Sequence, residues 1–303
     1  MTRFRLGTRG SPLALTQARM VRAALSTTHS WAEDDIEIVV IKTTGDIVQD
    51  RALAEIGGKA LWTKELDRAL LAGEIDCAVH SMKDVETIRP TEIAITAMLP
   101  RADVRDRLIG AESIAGLREG AAVGTSSPRR SAQLKRLRPD LQIVLLRGNV
   151  DTRLAKVASG EIDATLLAAA GLDRLGRGDV GAAIDIDVML PAPAQGAVGI
   201  EARAGSHAAQ RIAAIGDAAT MTCVLAERAL LAALNADCHS PMAALARIEG
   251  DAIHLRGELF AADGAAHVVG EATGATGDSD FPATLAVDLL ARAPAEVRAL
   301  FGG

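Results

Sequence analysis

Two stretches of this chain are outline copies of each other, and a duplicated strand-turn-helix unit restricts the fold more than any other feature. Leu6-Gly7-Thr8-Arg9-Gly10-Ser11-Pro12 resembles Val123-Gly124-Thr125-Ser126-Ser127-Pro128. In each, an apolar strand pattern runs into a polar turn, and Ser then precedes Pro, the pair that supplies an N-cap and a preset first helical residue. Helices are predicted to begin at both places. Later in each copy, GEIDCAVHS from Gly73 and GEIDATLLA from Gly160 set polar residues before another apolar strand. Met98-Leu99-Pro100 and Met189-Leu190-Pro191 repeat the same proline punctuation. The matched order predicts two similar lobes joined by paired crossings.

Strands alternate with amphipathic helices in both copies, which argues for βαβ units. Leu61 to Leu71, with Leu61, Trp62, Leu66, Ala69 and Leu70 along one side, is predicted to be a helix whose apolar stripe is core. From about Thr220 the pattern changes to a long helix, then alternating segments at 243–249, 252–260 and 266–271, and a last helix ending at Leu300. The expected class is therefore α/β, with residues 1–99 and 196–217 forming one lobe, 100–195 the second, and 218–303 a small α+β domain.

Composition narrows the partners. A formal charge of -6 and an aromatic share of 2% give neither the basic excess nor the stacking platforms that nucleic-acid binding needs. No stretch is apolar enough to span a bilayer, and Met1-Thr2-Arg3-Phe4-Arg5 leads into strand pattern without an apolar signal core, so a cytoplasmic protein is expected. Cys77, Cys223 and Cys238 form no CxxC pair and no metal-ligand spacing, which predicts neither a disulfide framework nor a metal site. Six of the 33 basic residues are lysine and the rest are arginine. GC-rich codon usage accounts for much of that excess, but not for where the arginines stand.

Three of those places are strand-to-helix turns: Arg9-Gly10-Ser11, then Thr125-Ser126-Ser127-Pro128-Arg129-Arg130, then Arg147-Gly148-Asn149-Val150-Asp151-Thr152-Arg153. Hydroxyls, helix N-termini and planar guanidinium forks together suit carboxylates, because each fork can donate two parallel hydrogen bonds. His80-Ser81-Met82-Lys83-Asp84 ends a predicted strand with a carboxylate among these cations, where it can stabilise a cationic intermediate or relay a proton. On the residues alone two readings stay open. One is an enzyme acting on a small, multiply carboxylated substrate; the other is a non-catalytic anion receptor with the same two-lobed fold.

RGSPLALTQA, GGKALWTKEL, AVHSMKDV, VGTSSPRR, LRGNVDTRL, AAAGLDRLG and QGAVGIE, in this order over residues 3 to about 235, closely resemble the porphobilinogen deaminase (hydroxymethylbilane synthase) family. The resemblance implies a monomeric transferase of tetrapyrrole and haem biosynthesis. It condenses porphobilinogen units, with loss of ammonia, onto a covalent dipyrromethane primer and then releases the linear tetrapyrrole hydroxymethylbilane by hydrolysis. It also implies two lobes like type II periplasmic solute-binding proteins, followed by a third domain whose cysteine carries the primer through a thioether. Cys238, in Cys238-His239-Ser240-Pro241, matches that spacing. Carried over by position, Asp84 is the catalytic carboxylate. Lys83, Asp84, Thr125, Ser126, Ser127, Arg129, Arg130, Arg147, Gly148 and Arg153 hold the cofactor. Arg9, Ser11, Lys59, Arg147, Arg153, Arg174 and Gln195 bind substrate.

Four places depart from the family pattern: Glu86 where proline is usual, Pro128 where leucine is usual, Ala194 where glycine is usual, and Asn235-Ala236-Asp237 in place of glycines before Cys238. If the glycine position is one of positive φ, Ala194 is expected to carry strain.

Overall fold

The computed structural model describes residues 3–42 and 63–301. It divides into two compact units, Met1–Ala102 with Gly196–Met221, and Asp103–Gln195 with Thr222–Gly303.

In the first unit the described elements are β1 (Phe4–Thr8), α1 (Pro12–His29), β2 (Ile36–Val40), α2 (Lys64–Leu71), β3 (Cys77–Ser81) and β4 (Ile93–Met98), with β10 (Val198–Arg203) and α6 (His207–Ala213) from the returning chain. They form a five-stranded sheet in the order β2-β1-β3-β10-β4. β1 is parallel to β2 and β3, whereas β10 is antiparallel to both of its neighbours. β3 opens with three consecutive buried apolar residues, Cys77-Ala78-Val79, because both faces of the sheet are covered. Leu6, Val21, Leu25, Val79, Val198 and Ile212 pack in one core, and Leu66, Leu70, Ile75 and Ile93 in a second. Each fully buried side chain of this size contributes roughly 1.5–3 kcal/mol. Leu66, Ala69 and Leu70 are the buried face of α2, as their spacing predicts; Leu61 and Trp62 lie outside the described residues.

The second unit repeats the plan. β5 (Asp106–Ile109), β6 (Ala122–Thr125), α3 (Pro128–Leu137), β7 (Gln142–Leu145), α4 (Val150–Ala158), β8 (Ala164–Ala168), α5 (Ala169–Arg174) and β9 (Ala182–Ala183) build a sheet in the order β7-β6-β8-β5-β9. β6 is parallel to both neighbours and β5 antiparallel to both of its own. Each sheet thus has three parallel strands followed by one reversed strand.

The sequence echoes have local causes. Ser11 Oγ accepts the Ala14 N–H at 3.3 Å and Ser127 Oγ the Arg130 N–H at 3.4 Å, so both helices start at their Ser-Pro pair. Gly73 and Gly160, with φ of 70° and 73°, are the left-handed residues after α2 and α4. Asp76 and Asp163, which end the two GEID copies, each accept a backbone N–H at 2.7 Å from the start of the central parallel strand, from Arg5 and from Ala122. An arginine closes each clamp, Arg5 on Asp76 at 3.0 Å and Arg118 on Asp163 at 2.7 Å.

α7 (Ala218–Ala233) leads to a second sheet in this unit, the antiparallel β11 (Met242–Glu249), β12 (Ala252–Phe260) and β13 (His267–Ala275), followed by α8 (Phe281–Arg292) and α9 (Ala295–Arg298). Leu230, Leu255, Leu285 and Leu289 pack on one side of this sheet. Ala243, Leu245 and Phe260 pack with Ala132 and Leu190. The single last helix expected from the pattern is broken into α8 and α9, because Pro294 excludes Ala293 from helical geometry and leaves it extended at ψ 136°. No helix among the described residues is long and apolar enough to cross a membrane.

Candidate functional site

In the first unit, the ends of β1 and β3 supply a small pocket. β1 ends at Thr8, the chain turns through Arg9 and Gly10, and Ser11 caps α1; β3 ends at Ser81 and continues into one 3₁₀ turn, Met82–Asp84. Arg9, Ser11, Gln17, His80, Ser81 and Asp84 line the pocket. The turn that presents Asp84 is anchored from three directions. Met82 N–H donates to Ala197 O at 3.1 Å, Val85 N–H closes the turn on Met82 O at 3.2 Å, and buried Gln17 donates to Ser81 Oγ at 2.7 Å. Met82 also packs directly over Gly199 of β10, where any Cβ would collide with the sulfur. Lys83 adjoins Asp84 and is half-buried; Lys59 lies outside the described residues.

Behind this pocket is a buried ion network. Both oxygens of Glu201, fully buried on β10, accept from Arg89, whose Nε and Nη2 each donate at 2.8 Å. Arg89 reaches Asp67 at 2.5 Å and Glu86 at 2.8 Å as well, and Thr63 Oγ1 donates to Glu86 at 2.6 Å. Glu86 therefore has a structural use at the position where the family pattern has proline. His80 Nε2 lies 3.2 Å from Glu201 Oε2. Burial alone would raise the Glu201 pKa, but His80 and Arg89 more than offset it and hold the carboxyl at about 2.

In the second unit, the strand-to-helix turns after β6 and β7 lie together. Thr125 pairs with Leu145 in the sheet, Ser127 caps α3 and Asn149 caps α4 by accepting the Thr152 N–H at 2.9 Å. Arg153 bridges the turns, donating to Gly148 O at 3.0 Å and Ser126 Oγ at 3.5 Å. Arg174 ends α5; burial lowers its pKa and neighbouring Asp173 opposes that.

Arg129 and Arg130, read from the sequence as carboxylate ligands, are buried around Asp106. Arg129 Nη2 donates to Asp106 Oδ2 at 2.8 Å and Arg130 Nη2 to Oδ1 at 2.7 Å, while Gln195 Nε2 donates to the same Oδ1 at 2.9 Å. Burial pushes the Asp106 carboxyl up, yet the two guanidiniums hold it well below the usual carboxylate range. Arg129 and Gln133 also share Leu190 O as acceptor, so this cluster fastens α3 to β5 and to the chain segment that carries Gln195. Asp106 and Arg89 lie in no motif of the sequence reading, and His80 and Glu201 lie in AVHSMKDV and QGAVGIE without a role assigned to them; their partners are 22 or more residues away in most cases.

Cys238 is exposed, whereas Cys77 and Cys223 are buried. Its loop is a closed polar turn: Asp237 Oδ1 accepts the His239 N–H at 2.8 Å, and Ser240 Oγ accepts the Asp237 N–H at 3.0 Å. Asn235 takes φ 50°, a left-handed conformation that asparagine tolerates better than most residues. Burial raises the pKa of the Cys77 thiol far above its usual range.

Residues 4–211 match the family described as "Porphobilinogen deaminase, dipyromethane cofactor binding domain", and residues 221–292 match its C-terminal domain. The chain belongs to the porphobilinogen deaminase family. Porphobilinogen deaminase of Sphingopyxis alaskensis is 56% identical over 98% of this chain and 96% of that protein. Those of Paracoccus denitrificans and Nitrobacter hamburgensis are 51% and 46% identical, over 97% and 98% of this chain and 95% and 96% of theirs. Among solved structures, a periplasmic substrate-binding protein of an ABC transporter from Coxiella burnetii has a TM-score of 0.43 at 14% identity, covering 72% of this chain and 94% of that one. For a cofactor bearing carboxylates, as the porphobilinogen deaminase resemblance implies, the donors are present. Among the described residues Arg147 Nη1 and Arg129 Nε are buried without a hydrogen-bond partner, a condition that costs about 1–3 kcal/mol per group until an acceptor arrives.

Proposed function

We propose that this chain is a transferase that joins porphobilinogen units, releasing one ammonia per unit, into hydroxymethylbilane, with Asp84 as the catalytic carboxylate and Cys238 as the thioether anchor of its dipyrromethane. Family membership over nearly the whole length carries the activity. The anchored turn beneath Asp84 supports its role, and the exposure of Cys238, where Cys77 and Cys223 are buried, supports the tether.

In each condensation the protonated aminomethyl group of the incoming porphobilinogen leaves as ammonia with the C–N electron pair, leaving a cationic methylene-pyrrole; a pyrrole α-carbon of the growing chain then forms the C–C bond at that methylene carbon and gives up its hydrogen as a proton to solvent. A dipyrromethane held by the cofactor-binding residues would supply the first such pyrrole carbon. Asp84, fixed by Met82, Ser81 and Gln17, accepts the pyrrole N–H and stabilises the positive charge while it exists. Lys83, Thr125, Ser126, Ser127, Arg129, Arg130, Arg147, Gly148 and Arg153 hold cofactor carboxylates. Arg9, Ser11, Lys59, Arg147, Arg153, Arg174 and Gln195 bind those of the substrate. Arg129, Arg130 and Gln195 serve this through the Asp106 cluster, which fixes the start of α3, so their part is to position Thr125 to Ser127 as well as to supply charge. Residues 218–303 act as a third domain with its own sheet and core, and the protein works as a cytoplasmic monomer.

Incubating the purified protein with porphobilinogen, and measuring ammonia and tetrapyrrole, tests the activity; no ammonia release would refute it. Intact mass tests the tether. The native protein is expected to exceed its sequence mass by one dipyrromethane, and Cys238→Ser to lack that increment.

A further inference from the structure

Neighbouring residues of β5 face opposite sides of its sheet, as strand alternation requires. Leu108 packs with Leu134 of α3, and Asp106, on the same face, holds Arg129 and Arg130 of that helix. Arg107 and Ile109 face the other way, where Ile109 packs with Leu172 of α5, with Val150 and Leu154 of α4 and with Val180. Arg107 is 13% exposed. Its Nη2 donates to Asp173 Oδ1 at 3.0 Å, and its Nη1 donates to Gly178 O and, at 3.5 Å, to Val180 O. One guanidinium therefore takes both the last turn of α5 and the loop that follows. Arg174 stands between these acceptors, at the end of a helix of six residues, too short to hold its own C-terminus firmly. The same loop also meets α4, because Arg177 Nη2 donates to Asp151 Oδ1 at 2.5 Å. An exposed pair of this kind contributes little to stability. It does show that the Arg174 loop lies beside the first turn of α4, which carries Arg153 and follows Arg147 and Gly148.

We propose that Arg107 is a positioning residue for substrate binding: it fixes the backbone from which Arg174 reaches a carboxylate of porphobilinogen. The proposal rests on the reading of Arg174 as a substrate contact. Two effects act in the same direction. Without Arg107 the end of α5 is released, and a planar guanidinium fork loses the alignment that two parallel hydrogen bonds to one carboxylate require. Asp173 is released as well, and this acid, the neighbour that favours the charged form of Arg174, then competes with the substrate for it. β5 thus braces two arginine-bearing turns from its two faces, the start of α3 through Asp106 and the end of α5 through Arg107. Asp173 and Gly178 are exposed, so water replaces the guanidinium at both when it is removed, and Arg107→Leu is expected to fold.

The test is steady-state turnover of porphobilinogen by the holoenzyme and its Arg107→Leu, Arg107→Lys, Arg174→Gln and Arg107→Leu/Arg174→Gln variants, with thermal melts of each. Arg107→Leu is expected to raise KM about threefold to tenfold, the effect of misaligning one hydrogen-bonded contact, with kcat within about twofold. Arg107→Lys, which keeps the charge beside Asp173 but not the fork, is expected to recover part of that loss. Because Arg107 acts through Arg174, the double variant should have the KM of Arg174→Gln alone. A normal KM in folded Arg107→Leu, a fall in kcat at unchanged KM, or two KM increases that multiply in the double variant overturns the proposal and leaves the reading of Arg174 standing. Should Arg107→Leu not fold, Arg107→Lys decides in its place: a KM equal to that of the native enzyme overturns the proposal. Arg174→Gln with a normal KM overturns the reading of Arg174 and this proposal with it.

Discussion

Ala194 holds φ at 62° and donates its backbone N–H to the buried Glu227 carboxylate at 2.5 Å. The positive φ that the sequence reading made the condition for strain at this position is present, and an alanine occupies it. Glu227 also accepts the Ala246 N–H at 2.8 Å, so one side chain fastens the segment before Gln195 to β11. Left-handed geometry costs a non-glycine residue roughly 1–2 kcal/mol, and glycine returns about 0.5–1 kcal/mol of that as unfolded-chain entropy. Ala194→Gly is therefore expected to stabilise the protein by up to about 1 kcal/mol, read as a raised denaturant midpoint at unchanged slope.

Glu227→Ala should act in the opposite sense. It leaves two buried N–H groups without an acceptor, each costing about 1–3 kcal/mol. A denaturant midpoint unchanged by Glu227→Ala would mean that water or another acceptor replaces the carboxylate. Ala194→Gly in the Glu227→Ala background separates the two effects: if the carboxylate alone enforces the left-handed turn, the benefit of glycine shrinks there.

The repeated lobes were legible in the sequence because their causes are local. A Ser-Pro pair starts each of the two helices, and an aspartate immediately before an apolar strand can clamp the neighbouring strand, as Asp76 and Asp163 do. The Asp106 and Glu201 clusters were not legible, since nothing around Asp106 announces that Arg129, Arg130 and Gln195 converge on it from 23, 24 and 89 residues away. The arginine pair after Ser127 was legible as charge at a helix start, and its engagement with Asp106 was not. The break at Pro294 was visible as a residue, and its effect on Ala293 follows from ring sterics alone.

Asp106 gives the protein an acid-sensitive joint. Its carboxyl is depressed by Arg129 and Arg130, so the stability it contributes is fully present above the unfolded value of about 3.9 and is lost as pH falls toward the folded value. Below about pH 4 the stability should decline steeply. Asp106→Asn, which strands two buried guanidiniums, is expected to cost about 3–5 kcal/mol at neutral pH and to flatten that acid limb. Equal midpoints for the variant and the native protein at pH 7 would show that the cluster does not hold α3.

Arg147 separates charge from geometry in the carboxylate sites. Its Nη1 is buried without an acceptor among the described residues at the turn after β7, beside the Gly148 that Arg153 engages. A lysine restores a point charge but not a planar fork that can take both oxygens of one carboxylate. Arg147→Leu is expected to leave most of the purified protein without the dipyrromethane mass increment, and the increment should reappear only partly in Arg147→Lys. Because the leucine also removes an unsatisfied buried donor, its melting temperature should hold or rise by a degree or two when compared with native protein stripped of cofactor. Full loading of Arg147→Leu with normal turnover would place the carboxylate contacts on other residues and leave the buried nitrogen unexplained.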